Sequence, residues 1–157
     1  MIRILKMLIP DFLLRLGDLY PMLHILSIYF SYSTFFVASV AALLYLAQDY
    51  FLKNKQTGIV FEQLPNLFFL DQLNYKAIGL GFPIFTISII TGFIWAKHTR
   101  GFTWSPGHRE IYSIALWLIY ALILHVRLSA KMRGRKVAQL SLVAFCVILL
   151  TLFGNSR

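Results

Sequence analysis

Apolar and polar residues follow one another in long blocks along this chain. Apolar blocks cover residues 21–48, 77–96, 111–126 and 137–153, and polar segments separate them. A helix of about 20 apolar residues crosses the roughly 30 Å hydrocarbon core of a bilayer. The pattern therefore predicts an all-α, polytopic membrane protein with four transmembrane helices, ending in a short tail at 155–157.

The first 20 residues have a different pattern. Polar side chains recur there every three to five positions among Ile, Leu and Phe, a spacing typical of a helix that lies along the membrane surface. They are Arg3, Lys6, Asp11, Arg15 and Asp18. Because Pro10 and these charges interrupt the apolar core that a signal peptide needs, we expect residues 1–20 to be retained as an interfacial amphipathic helix. A single transmembrane domain, 21–154, follows from Pro21.

Composition supports a membrane location. Of 157 residues, 59% are hydrophobic and 13% are charged, and the mean hydropathy is +0.71. A soluble domain of this size could not bury so much apolar surface, which excludes the soluble enzyme classes.

The net charge of +9 carries information on topology. In a soluble protein this charge would suggest nucleic acid, but here the bilayer is the expected partner. The segment 127–136 holds five Lys or Arg and no acid. The positive-inside rule places it in the cytoplasm, and alternation of the spans then places both termini outside.

The sequence has no recognisable catalytic constellation. A phosphate-binding loop, a nucleophile elbow and a zinc-protease motif are all absent from it. Every Asp, Glu, Lys and Arg is expected at or beyond the end of a span, which argues against an ion pathway. Catalysis by this chain alone is not predicted.

Two helix faces carry small and hydroxyl residues. On the first span these residues follow steps of three and four: His24, Ser27, Ser31, Thr34, Ala38, Ala41, Tyr45 and Gln48. The second span has a similar face of small residues, formed by Ser88, Gly92 and Ala96. Small residues let helices pack closely in lipid, so both faces are predicted packing seams. His24 is either a haem ligand or a histidine hydrogen-bonded at the interface.

The connection between the second and third spans is the most polar cluster in the chain. It contains His98, Arg100, Trp104, His108 and Arg109. Imidazoles ligate haem iron, Arg pairs with propionates and Trp stacks on a porphyrin, so this mixture suits a haem site at the outer interface. It also suits a belt of headgroup-binding residues. His125, at the inner end of the third span, either has a buried functional role or extends to lipid headgroups.

Long segments of the chain resemble the cytochrome c assembly family of the CcsA and HemX type. The resemblance is carried by LHILSIYFSYSTFFVASVAALLYL, LGFPIFTISIITGFIWA, GFTWSPGHREIYSIALWLIYALILHVRL and RGRKVAQLSLVAFCVILLTLFG. These segments occur in the order of that family's C-terminal half and cover most of residues 20–154.

The resemblance implies a role in haem handling. Proteins of that family handle haem in bacterial or plastid membranes, commonly for delivery to apocytochrome c, and use a tryptophan-rich outer loop with histidine ligands. His24 matches the outer histidine that precedes the loop, and His125 matches the histidine at the inner end of the following helix. Because these two lie at opposite membrane faces, they are not expected to share one iron.

The loop departs from the family pattern GxxWxWDPKExW. Gly101, Trp104 and Glu110 are kept, and Arg109 replaces the Lys. Four positions differ in kind: Pro106 and Tyr112 stand for Trp, Gly107 stands for Asp and His108 stands for Pro. The family's second outer histidine and its other intramembrane histidine have no counterpart in this sequence.

Three interpretations follow. The chain binds haem b at the outer face, its iron held by His24 with His98 or His108, beside Trp104 and Arg109. Alternatively, it is one half of a split family member, and a partner chain supplies the missing helices and histidines. In the third, it is a haem-free structural or regulatory subunit of a larger membrane complex. The expected location is the bacterial inner membrane, with a plastid membrane as the alternative.

Overall fold

The computed structural model describes residues 2–55, 63–100, 108–129 and 132–153. Side chains are described from Leu19 onward, apart from those of 98, 100, 108, 109 and 151–153. Within this part of the chain, four long helices follow one another: α1 (Ile2–Lys53), α2 (Leu67–Arg100), α3 (His108–Ser129) and α4 (Arg135–Phe153). The bundle has one end near the α2–α3 connection and the other near the α3–α4 turn.

Three of these helices contain segments long and apolar enough to cross a membrane. They are Leu19–Lys53, Leu67–Lys97 and Glu110–Ser129. The predicted helical membrane protein is therefore confirmed. The fourth predicted span, 137–153, lies within α4 and stays a prediction.

Helix α1 is continuous across the predicted boundary at Pro21. It comprises 52 residues, which at 1.5 Å per residue makes it about 78 Å long. This is more than twice the thickness of the hydrocarbon core. The structure therefore has no helix end between residues 20 and 21. The surface location of residues 1–20 stays a prediction, because side chains before Leu19 lie outside the described residues.

Helix α2 begins earlier than the hydropathy pattern predicts. The predicted span starts at residue 77, whereas the helix starts at Leu67. Asn66 caps it, since its Oδ1 accepts a 2.7 Å hydrogen bond from the backbone N–H of Phe69. Asp71 consequently lies inside a candidate span. Asp49, Lys76 and Arg127 lie within the candidate segments in the same way, and the expectation that charges lie at or beyond the ends of the membrane-crossing part stays a prediction.

The predicted seam of α1 forms its packed face. Ser31 and Ala38 are fully buried, and the other members of the stripe are buried or half-buried. α1 and α2 approach closely at Gly81, where a Cβ atom would meet Thr34 Oγ1 and lie 2.7 Å from Phe35 Cε1. The seam therefore allows the two backbones to approach as small-residue packing requires.

Aromatic rings fill the centre of the bundle. The rings of Phe35 on α1 and Tyr120 on α3 stack with centroids 3.7 Å apart, and Phe85 of α2 meets Phe35 edge-on at 5.7 Å. The side chain of Tyr120 is fully buried. Its hydroxyl has no hydrogen-bond partner among the described residues. The ring, and not the hydroxyl, therefore accounts for the packing at this position.

A buried polar network joins the helices near the α3–α4 turn. Arg127 of α3 donates to a carboxylate oxygen of Asp71 on α2 at 2.5 Å and to the backbone carbonyl of Asp71 at 2.8 Å. Asn74 of α2 donates to the carbonyl of Ala38 on α1 at 2.8 Å and to Ser141 Oγ on α4 at 3.0 Å. Each of the four helices contributes at least one group.

The carboxylate of Asp71 also contacts the start of α4. Its other oxygen accepts a hydrogen bond from the backbone N–H of Gly134 at 3.3 Å. Gly134 has a φ of +83°, a conformation that favours glycine, and α4 begins at the next residue. A negative charge at this position is favourable for the helix dipole of α4.

Substitutions at two glycines of α2 test the close packing of the seam. Gly81→Ala should lower the thermal unfolding midpoint in mild detergent, since overpacking of this kind costs about 1–3 kcal/mol. Gly79→Ala is the matched control, because a Cβ there meets nothing within 4 Å. Equal midpoints for the two variants would contradict the close approach of α1 and α2.

The buried hydroxyl of Tyr120 gives a second test of the packing. Tyr120→Phe should leave the unfolding midpoint unchanged or raise it, because it removes a buried polar group that lacks a partner. Tyr120→Ala should lower the midpoint strongly, since loss of a buried aromatic ring costs about 3–5 kcal/mol. A large loss in the Phe variant would show that the hydroxyl makes a stabilising hydrogen bond.

Candidate functional site

His24 is held against α2 at the bundle end near the α2–α3 connection. Its imidazole is half-buried, and its Nδ1 lies 2.7 Å from the backbone carbonyl oxygen of Ser88. Ser88 Oγ lies 3.2 Å from the same nitrogen and donates a hydrogen bond of 3.2 Å to the carbonyl of His24. Hydrogen bonds in both directions therefore join α1 and α2 at this pair.

These contacts indicate which ring nitrogen of His24 carries the hydrogen. A carbonyl oxygen only accepts hydrogen bonds, so Nδ1 must carry the hydrogen that is donated to Ser88. In the neutral imidazole, Nε2 then presents a free lone pair, and it has no hydrogen-bond partner among the described residues. Histidines that ligate a metal commonly show this arrangement, with one ring nitrogen bonded to a carbonyl and the other directed at the metal.

A glycine and a tryptophan of α2 complete the surroundings of this imidazole. A Cβ atom at Gly92 would lie 2.8 Å from His24 Cε1, so a larger residue there would displace the ring. The ring centroid of Trp95 lies 6.3 Å from that of His24, and 38% of the Trp95 surface is exposed. The second small-residue face therefore accommodates the imidazole as well as providing close packing.

The other residues predicted at the outer site lie next to the α2–α3 connection, at the end of the bundle where His24 contacts α2. His98 is in the last turn of α2, and His108 and Arg109 are in the first turn of α3. Their side chains are outside the described residues, as is the whole of Trp104. Their approach to His24 stays a prediction.

His125 lies near the opposite end of the bundle. It is two residues from Arg127, which pairs with Asp71, whereas His24 contacts Ser88. Asp71 and Ser88 are about 26 Å apart along the axis of α2 at 1.5 Å per residue. This is the approximate axial separation of the two histidines. The side chain of His125 is exposed on the outside of the bundle. The structure therefore does not bring His24 and His125 together, and the buried position considered for His125 is not found.

An apolar groove of about 290 Å³ lies between α2 and α3. Its lining residues are Thr86, Ile89, Ile90, Phe93, Ile114 and Trp117. The groove lies on a different face of α2 from the one that contacts His24. Helical periodicity directs residues 86, 89, 90 and 93 away from Ser88 and Gly92, which contact His24. The groove is therefore separate from the histidine site. At its edge, Trp117 Nε1 donates a 3.0 Å hydrogen bond to Thr86 Oγ1.

The donor set at His24 fits an iron porphyrin better than a bare metal ion. No group of three or more His, Cys, Asp or Glu side chains lies within range of a shared ion in the described part of the chain. A haem iron requires only one or two axial protein ligands, and the free Nε2 of His24 is a suitable one. The neighbouring Trp95 supplies an aromatic surface.

Sequence reasoning did not identify Ser88, Trp95, Asp71 or Asn74 as site or network residues. Ser88 had a detectable signal, since it lies on the small-residue face opposite the seam of α1. Asp71 and Asn74 resembled loop residues because they are polar. Only their contacts with the other helices show that they belong within α2.

Known proteins with similar sequences include CcsA proteins of algae. The chain is 35% identical over 127 residues to the cytochrome c biogenesis protein CcsA of Chlamydomonas reinhardtii, an alignment covering 81% of this chain and 35% of that protein. It is 40% identical over 130 residues to the CcsA of Chlorella vulgaris, covering 79% and 41%. For the CcsA of Guillardia theta the identity is 32% over 150 residues, covering 85% and 49%.

The chain thus spans between a third and a half of the length of these relatives. No solved structure matches it significantly. The model of the family described as "Cytochrome C assembly protein" matches residues 9–156, which is nearly the whole chain. This protein belongs to the cytochrome c assembly protein family.

Proposed function

We propose that this protein is an accessory membrane protein that handles haem for cytochrome c maturation, binding haem b at the outer face of the membrane. The observation that carries the proposal is the 2.7 Å contact between His24 Nδ1 and the Ser88 carbonyl oxygen, which leaves Nε2 as the nitrogen available to an iron. Family membership gives the biological context, since the similar proteins are cytochrome c biogenesis proteins.

Each residue has a defined part in this proposal. His24 would ligate the iron, and its ring orientation is set by Ser88 and limited by Gly92. His98 or His108 would be the second histidine ligand. Haem bound here would be the group that is delivered for attachment to apocytochrome c. Trp104 and Arg109 of the connecting segment contribute stacking and a cation for the propionates.

The coverage of the relatives favours a second candidate, in which the chain is one part of a divided family member. The chain aligns with 35%, 41% and 49% of the length of the three relatives. Other helices, supplied by a partner chain, would then complete the assembly and offer further ligands. A haem-free structural subunit is the remaining alternative, and absence of haem from an intact native complex would identify it.

Substitutions at His24 and Gly92 test the outer site. In the native complex purified in mild detergent, His24→Ala should abolish the haem band that depends on this chain. Gly92→Ala should weaken haem binding by about 10- to 100-fold, as expected when the support of a metal ligand is disturbed. Haem content per chain, from the reduced-minus-oxidised spectrum and subunit quantification, measures both effects.

Gly79→Ala is the control for the same helix, because its Cβ meets no neighbour, and haem content should be unchanged. His98→Ala and His108→Ala identify the opposite ligand, since one of the two should weaken the band. Unchanged spectra in the His24, His98 and His108 variants would disprove the outer site. Haem that appears only with a second helical chain would support the divided protein.

We propose that the α3–α4 turn faces the cytoplasm and both termini face outward. Basic residues at the bundle end near this turn support the orientation under the positive-inside rule. Among the described residues they are Lys53, Lys55, Lys76, Arg127, Arg133, Arg135 and Lys136. They lie at the end of α1, the early turns of α2 and around the turn itself.

Fusions with a topology reporter test this orientation. Alkaline phosphatase joined after Arg157 should be active, because the enzyme folds only outside the cytoplasm, and the same reporter inserted after Arg133 should be inactive. The paired insertions control for expression. Cytoplasmic location of the reporter after Arg157 would reverse the proposed orientation.

A further inference from the structure

Helix α3 is apolar on both its inner and its outer face. Leu116 and Ile123 are buried in the bundle, whereas Leu118 and Leu122 are exposed on its surface. In a bilayer, lipid chains are as apolar as leucine, so contact with lipid does not favour one of these faces over the other. Tyr120 and Trp117 orient the middle of α3 through their contacts with Phe35 and Thr86, whereas apolar burial alone contributes less to the orientation of the end that carries His125.

The contacts of Arg127 define that rotation at the inner end. Its guanidinium bonds both the carboxylate and the backbone carbonyl of Asp71, and it lies 4.8 Å from the ring centroid of Tyr75. Only 5% of the Arg127 side chain and 13% of the Asp71 side chain are exposed. Rotation of this end of α3 would separate the pair and leave the Asp71 carboxylate, of which only 13% is exposed, without its counterion, which is unfavourable.

His125 is oriented by the same contacts. Two residues along an α-helix are about 200° apart, so with Arg127 directed inward, His125 is directed outward, as its exposure indicates. We propose that the Asp71–Arg127 ion pair is a positioning device for His125, which holds the imidazole on the outer surface of the bundle, accessible from outside this four-helix unit. The inference rests on the proposed function only in taking His125 as a haem-binding candidate.

Site-directed spin labelling measures the orientation without haem. The full chain, with Cys146 changed to Ser, carries a nitroxide at His125→Cys or, as the inward control, at Ile123→Cys, and is reconstituted in lipid nanodiscs. Collision rates with oxygen and with a water-soluble nickel chelate report exposure. With the ion pair intact, the label at 125 should be exposed and the label at 123 protected.

Replacing the ion pair by apolar residues separates positioning from stability. Asp71→Leu combined with Arg127→Met leaves no unpaired charge, and such replacements are commonly neutral for folding. In this double variant the labels at 125 and 123 should become similarly exposed, so that the ratio of their collision rates (125 to 123) falls toward one. The helical content should stay unchanged. A ratio equal to that of the parent would show that packing alone orients α3, and would overturn the proposal.

A second comparison does not require the double variant to fold. Arg127→Lys keeps a cation toward Asp71 and should retain the outward label at 125, whereas Arg127→Gln should lose this preference. Equal exposure ratios in these two variants would also overturn the proposal. Since neither comparison involves haem, failure of the haem site leaves the positioning result standing, and the reverse also holds.

Discussion

The ion pair between Asp71 and Arg127 is the contact on which the arrangement of this bundle depends. In lipid, burial of a leucine contributes little to the choice between helix faces, because the hydrocarbon outside is as apolar as the protein inside. A charge is different, since removing one partner of a buried pair leaves the other unsatisfied and typically costs about 3–5 kcal/mol. The network around this pair includes groups from all four described helices.

The sequence predicted the helices by their apolar length, and it misplaced the start of α2 for a physical reason. Hydropathy counts Asp71 and Asn74 as polar, and polar residues next to an apolar run resemble a connection. Whether such residues lie in a helix depends on partners that are distant in the chain, here Ala38, Arg127 and Ser141. The pattern of one segment cannot supply that information.

The candidate site was predictable in part. The small-residue stripes predicted a close seam between the first two spans. His24 was identified as the member of that seam that is a candidate haem ligand. The identity of its partner was not predictable, because a backbone carbonyl such as that of Ser88 has no signature in sequence. Gly92 also has two roles that sequence does not separate: it shortens the distance between helices and leaves room for the ring.

The order of the charged residues along the chain has a consequence for biogenesis. Asp71 is synthesised before Arg127, and Gly134, whose N–H bonds the second carboxylate oxygen, comes after both. Chains are translated from the N-terminus onward, so Asp71 is part of the growing chain before Arg127 is synthesised. The guanidinium of Arg127 therefore meets a carboxylate that is already part of the chain, and the pair needs no segment that follows α3. Assembly of the bundle can follow the order of translation.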